Sequence, residues 1–173
     1  MGNKLICAGI VLAGGESRRF GSPKALAEWK SKTFIELSIE SLAPHTDNIL
    51  VVTREELMKP LHKYRSTHIR ILEDVDRFKG KGPLAGIYTA MISSRADYYL
   101  VSPCDMPLMK SSMYEKWLTA VQAEEYDCVI PILDGKIFPL KGVYNKTCLP
   151  DITYCLQENA YKVVKLLQRK KTK

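Results

Sequence analysis

The chain has 173 residues, of which 46% are hydrophobic and 26% charged; these proportions allow a proper buried core and exclude a disordered or low-complexity protein. The formal net charge of +7 favours polyanionic partners such as nucleotides, phosphorylated small molecules or nucleic acid, and charge alone does not choose among them. No apolar run approaches the roughly 20 residues of a membrane helix, and the five cysteines (7, 104, 128, 148 and 155) are odd in number with no C-x-x-C pair, which argues against a zinc site and a disulfide framework and fits a reducing cytoplasm.

Residues 1–4 lead straight into a continuous apolar run at 5–12, which reads as a buried first strand. No small-residue cleavage site follows it, so no signal peptide is expected. The stretch LAGGESRRFGSPK at 12–24 comes next, with glycines at 14, 15 and 21 and cations at 18, 19 and 24. Glycines at a strand end let the backbone turn and approach a ligand. Backbone N–H groups in such a turn form an anion site, which Arg19 and Lys24 would reinforce. A merely basic surface loop is the alternative. The spacing fits neither the P-loop nor the dinucleotide fingerprint, since Gly14 and Gly15 are adjacent and no Gly-Lys-Ser/Thr follows.

Thr33 and Glu36 form a capping-box pattern for a helix reaching about Ala43 and stopped by Pro44. Residues 48–53 are a second strand. Thr53 and Glu56 suggest a second capping box, and 69–73 a short third strand. After a charged loop at 74–82, Pro83 suits the first turn of a helix. Leu84, Ile87, Tyr88, Met91 and Ile92 then follow at helical spacing. Residues 98–102 form a fourth strand and 112 onward another helix. Residues 128–133 form a fifth strand, and Asp134-Gly135 is a hairpin turn from which 136–143 returns antiparallel. Two helical segments near 151–156 and 160–168 complete the chain. The basic run at 169–173 reads as a solvated, frayed tail.

Alternating strands and helices predict a single α/β domain over 1–173, with a mostly parallel sheet, helices on both faces and a late β-hairpin. Ligands of such sheets bind beyond the carboxyl ends of the strands. The glycine-rich loop, Asp74 and the segment PCDMP at 103–107 therefore emerge on one edge. Asp105, held between two prolines, suits Mg²⁺, which takes one or two carboxylates plus substrate phosphates; a turn aspartate bonding its own backbone is the alternative. Gly82 and Gly86 in GPLAG could let a ring or ribose lie against backbone, or could simply pack a helix closely on the sheet. Asp74 could serve a nucleotide or cap its loop. The three histidines read as surface residues, and no aromatic–basic array suggests a nucleic-acid binder.

Together, LAGG-x-S-x-RFG-x-x-K at 12–24, GPLAG at 82–86 and CDMP at 104–107 resemble the molybdenum cofactor guanylyltransferases, the MobA proteins, in order and spacing over roughly residues 5–145. The first motif is shared with many nucleotidyltransferases; the other two narrow the match. The resemblance implies a Rossmann-like nucleotidyltransferase fold. It implies Mg²⁺-dependent transfer of GMP from GTP to the terminal phosphate of molybdenum-bound molybdopterin, releasing pyrophosphate. By motif position, Leu12, Ala13, Gly14, Gly15, Lys24 and Asp74 bind GTP, Asp105 binds nucleotide and Mg²⁺, Arg19 and Lys24 sit by the phosphates, and Gly82 and Gly86 shape the pocket. It further implies a cytoplasmic enzyme with other cofactor-maturation proteins or acceptor apoenzymes as partners. Three departures stand out: Ser22-Pro23 precedes Lys24 where many relatives carry an aspartate, Thr53 replaces an asparagine, and the relatives' Asn-rich C-terminal segment is not found. A cytidylyltransferase for the same acceptor, or a non-catalytic nucleotide binder, are the alternatives.

Overall fold

The computed structural model describes residues 5–15, 23–106, 110–123 and 125–173. Its main sheet is built from β1 (Cys7–Leu12), β4 (Asn48–Thr53), β5 (Ile69–Glu73), β6 (Tyr98–Pro103), β7 (Cys128–Val129) and β10 (Gly142–Asn145). Two short ribbons, β2 (Glu28–Trp29) with β3 (Lys32–Thr33) and β8 (Ile132–Leu133) with β9 (Lys136–Ile137), stand apart from it. The strand order is β5-β4-β1-β6-β10-β7. Pairs β1–β4, β1–β6 and β4–β5 are parallel, whereas β10 runs antiparallel to both β6 and β7.

The helices are α1 (Phe34–Leu42), α2 (Glu55–Leu61), α3 (Pro83–Ser93), α4 (Ser111–Ala123), α5 (Leu149–Gln157) and α6 (Val163–Leu167). Both faces of the sheet are covered, as its near-continuous apolar strands require. Ala8 and Ile10 of β1 with Leu50 and Val52 of β4 pack on α3, α5 and α6 through Leu84, Ile87, Ile152 and Leu166. Their neighbours Val11, Ile49 and Val51 point to the other face, against Ile35, Leu57, Tyr114 and Trp117 of α1, α2 and α4. That period-two alternation places the helices on opposite faces.

The Thr33 capping box forms as expected: Thr33 accepts from the Glu36 amide, and the Glu36 carboxylate accepts from the Thr33 backbone and hydroxyl. The expected second box does not. The N-cap of α2 is Arg54, because Thr53 is buried and its hydroxyl donates to the Ala13 carbonyl across the sheet edge. The expected fifth strand is split at Pro131 into β7 and β8, since proline cannot donate to a ladder. The hairpin at Asp134-Gly135 is present, with both residues at positive φ. Its return continues past the ribbon into β10, which inserts between β6 and β7.

The basic tail is not frayed. Lys171 and Lys173 run beside edge strand β7: the Asp127 amide donates to the Lys171 carbonyl at 2.9 Å, the Lys173 amide to the Cys128 carbonyl at 3.0 Å, and the Ile130 amide to the Lys173 carbonyl at 2.9 Å. An edge strand exposes unpaired backbone groups, and the tail satisfies them. Its charges are engaged too, with Arg169 and Lys170 paired to Asp151 and Lys171 over the Tyr126 ring. All five cysteines are buried. No helix among the described residues is long and apolar enough to cross a membrane.

Candidate functional site

A cavity of about 690 Å³ opens at the carboxyl edge of β1, β4, β5 and β6, a volume typical of small-molecule sites. Leu12, Gly14, Gly15, Lys24, Asp74, Gly82, Gly86 and Asp105 all line it. Residues drawn from four separate segments thus meet at one place, because parallel strands deliver their following loops to a common edge. Ala13 does not line it. It is buried behind the wall, its amide donating to the Val52 carbonyl at 2.8 Å, and so fixes the course of the glycine loop. Arg19 lies outside the described residues.

The glycines have distinct reasons to be glycine. Gly82, the N-cap of α3, has φ +83°, a conformation L side chains rarely adopt. Gly86, one turn into α3, is held by close approach: a Cβ there would lie 2.8 Å from Leu12 Cδ2 and 3.8 Å from Asp74 Oδ1. It therefore brings α3 against β1 and also leaves the cavity floor open. A Cβ at Gly14 would meet nothing nearer than 3.8 Å and one at Gly15 nothing within 4 Å, so neither glycine is required by crowding. The N-terminus of α3, with Gly82, Pro83 and Gly86 on the cavity, adds the positive end of a helix dipole.

Asp74 is held at one end. Among the described residues its buried Oδ1 has no hydrogen-bond partner, an expensive arrangement in a native interior. Burial raises its carboxyl above the usual carboxylate range, against hydrogen bonds from the Gly80 backbone and the Thr89 side chain. An enclosed, unsatisfied acceptor on a cavity wall is suited to a ligand's N–H or O–H. Asp105 occupies the other end and is more open, with a side chain 46% exposed and its Oδ2 3.4 Å from the Lys24 ammonium. The Cys104 amide donates to the Leu12 carbonyl at 3.1 Å and ties this loop to the glycine loop.

The described lining carries three cations (Lys24, Arg54, Lys79) and five carboxylates (Glu55, Glu56, Glu73, Asp74, Asp105). Among the described residues the lining is therefore net negative. Among the described residues no three His, Cys, Asp or Glu side chains cluster as a complete metal cage. Asp105, a half-exposed carboxylate beside Lys24, fits a hard cation that completes its shell with phosphate oxygens and water. Cys104 also lines the cavity, but burial, then the Asp105 charge, pushes its thiol up to about 12, so it is protonated and not a nucleophile at neutral pH. His45 bonds Ser111 at 2.8 Å; neither residue lines the cavity.

Sequence reasoning missed Arg54, Glu73, Lys79 and Leu140 in the wall. Arg54 and Glu73 directly follow Thr53 and precede Asp74, and position next to a strand end was the available signal. Lys79, paired to Glu73 and to Glu55 at 3.3 Å, sits in a charged loop with no motif. Lys141 was missed as well. It is 6% exposed, and its ammonium donates to the Met106 carbonyl, next to Asp105, at 3.4 Å.

A parallel-rich sheet with a glycine loop after its first strand and acidic residues at two further strand ends defines an α/β nucleotidyltransferase-type protein. The profile of the MobA-like NTP transferase domain matches residues 9–172, and the chain belongs to that family. It is 39% identical over 167 residues to a protein of Halalkalibacterium halodurans named probable molybdenum cofactor guanylyltransferase, covering 96% of this chain and 83% of the relative. It is 40% identical to a protein of the same name from Bacillus cytotoxicus, covering 92% and 79%. Among solved structures it superposes on molybdopterin-guanine dinucleotide biosynthesis protein A of Archaeoglobus fulgidus with a TM-score of 0.78 at 25% identity, covering 95% of this chain and 80% of that one.

Proposed function

We propose that this chain transfers GMP from GTP to the terminal phosphate of molybdenum-bound molybdopterin, forming the guanine dinucleotide cofactor and pyrophosphate. The observation that carries the reading is the meeting of Gly14, Gly15, Lys24, Asp74 and Asp105 around one cavity at the strand ends. The names borne by relatives about 40% identical supply the acceptor.

An acceptor phosphate oxygen attacks the α-phosphorus of GTP while the bond to the β-phosphate oxygen breaks and pyrophosphate leaves. The nucleophile is already an anion, so no strong general base is needed. What it must provide is charge neutralisation and alignment. Lys24, with Arg19 by motif position, faces the phosphates. Asp74 and the backbone at Leu12 and Gly14 hold the nucleoside side, with Ala13 fixing the course of that backbone from behind the wall and Gly82 and Gly86 leaving room. Asp105 would hold Mg²⁺, which when bound supplies positive charge at the phosphates.

The test is a transfer assay with purified protein, molybdenum-loaded molybdopterin, Mg²⁺ and either GTP or CTP, following pyrophosphate and product mass. The reading predicts guanylylated product dependent on Mg²⁺. Product from CTP alone would replace it with cytidylyl transfer, and nucleotide binding without product would make the chain a non-catalytic binder.

A further inference from the structure

Outside the residues matched to the family's motifs, the chain buries a lysine beside the proposed metal-holding carboxylate. A buried ammonium is costly unless it is paired and hydrogen-bonded, so its position calls for a reason. Lys141 is 6% exposed, and among the described residues its ammonium has one hydrogen bond, to the Met106 carbonyl at 3.4 Å. Met106 directly follows Asp105, and its amide closes a turn onto the Pro103 carbonyl at 3.4 Å.

The backbone that carries Lys141 is fixed from three sides. The Lys141 amide donates to the Phe138 carbonyl at 2.9 Å. The buried Tyr144 phenol donates to the Pro139 carbonyl. Gly142, at φ +144°, packs so closely on β7 that a Cβ would lie 2.2 Å from the Val129 carbonyl oxygen. In the antiparallel pair Gly142 stands opposite Val101 of β6, so Lys141 precedes β10 at the end where β6 runs out into the Asp105 loop. A rigid post on one strand thereby grips the loop that leaves its neighbour.

We propose that Lys141 is a positioning residue for Asp105: its ammonium holds the Met106 carbonyl and so keeps the 104–106 turn where Asp105 presents its carboxylate to a metal-bound nucleotide. This rests on the reading of Asp105 given above. It also makes a directional statement. A lysine acting by charge alone would repel a cation, so its removal would tighten Mg²⁺ binding. A lysine acting as a tether weakens Mg²⁺ binding when lost.

The experiment is calorimetric titration of GTP at stepped Mg²⁺ concentrations, with steady-state kinetics, for the full chain and for Lys141→Met and Lys141→Arg. Methionine keeps the stem and removes the donor; arginine restores a donor and charge. For Lys141→Met the Mg²⁺ needed for half-maximal strengthening of GTP binding rises about tenfold, with metal-free GTP affinity within about twofold of wild type. kcat falls more than KM for GTP changes, and Lys141→Arg recovers part of both losses. An unchanged or lower Mg²⁺ requirement in folded Lys141→Met overturns the proposal, as does an equal loss of GTP affinity with and without Mg²⁺. Should Lys141→Met fail to fold, Lys141→Gln is held to the same criteria. Wild-type GTP binding indifferent to Mg²⁺ sinks the Asp105 reading itself, and the tether with it, and is read separately from any variant.

Discussion

At one end of the cavity Asp74 and Gly86 sit in packed surroundings, the aspartate with an enclosed oxygen that has no hydrogen-bond partner among the described residues. At the other end the Lys24 and Asp105 side chains are 38% and 46% exposed and paired at 3.4 Å. The first end is shaped by close contact and rewards a ligand that supplies a donor in a fixed place. The second is shaped by charge and rewards a ligand that brings phosphates and a cation. A nucleotide has this same polarity, with a flat, hydrogen-bonding base and sugar at one end and a polyanionic chain at the other.

If the ends divide labour in this way, breaking each should give a different signature. The largest effect is expected from Asp105→Ala. Mg²⁺-dependent transfer should fall by at least about a hundredfold, while circular dichroism and thermal midpoint stay near wild type, because the carboxylate is exposed. Near-normal turnover would remove Asp105 from the chemistry. Lys24→Ala should weaken GTP binding about tenfold, the scale of one lost charge-assisted hydrogen bond. Its effect on a guanosine without phosphates should be nil, and equal loss for both ligands would place Lys24 in the wrong half of the comparison.

Gly86→Ala sharpens the other half. The new methyl would press Leu12, a cavity-lining side chain, at 2.8 Å. Strain of about 1 kcal/mol or more from overpacking opposes a helix-propensity gain of about 1 kcal/mol. The thermal midpoint should therefore move little while GTP and guanosine affinity both fall severalfold. Loss of affinity for GTP alone would contradict the division of the cavity.

The smallest effect concerns stability. Burial raises the folded Asp74 carboxyl above its ordinary value. Its contribution to stability is fully present below the unfolded pKa and is lost as pH rises through the folded one. Thermal melts should show wild type losing stability relative to Asp74→Asn across that acidic window, with the variant the more stable at neutral pH and the weaker GTP binder. A variant less stable at neutral pH would show that the carboxylate supports the fold and is not strained for a ligand.

The parallel half of the molecule is more legible in the sequence than the antiparallel half. Strands β1, β4 and β6 are apolar runs bounded by clear breaks, β5 is a shorter one interrupted by Arg70, and loops that follow parallel strands gather at their carboxyl ends. Those two facts suffice to place Lys24, Asp74 and Asp105 on one edge. Beyond residue 127 the signals are weaker, because partners there are remote in the chain. Nothing local says that β10 enters between β6 and β7, or that the backbone of Lys171 and Lys173 pairs with the edge of β7 while their side chains stay exposed. Lys141 is hidden for the same reason. In the sequence it is one lysine among many after a hairpin turn, and only the β6–β10 register brings it to the Asp105 loop.

Calorimetric titration of the purified chain with GTP, CTP and ATP, each with and without Mg²⁺, tests the central claim most directly. The account predicts selective GTP binding that Mg²⁺ strengthens. Tight CTP binding, or no binding of any of the three, would contradict it.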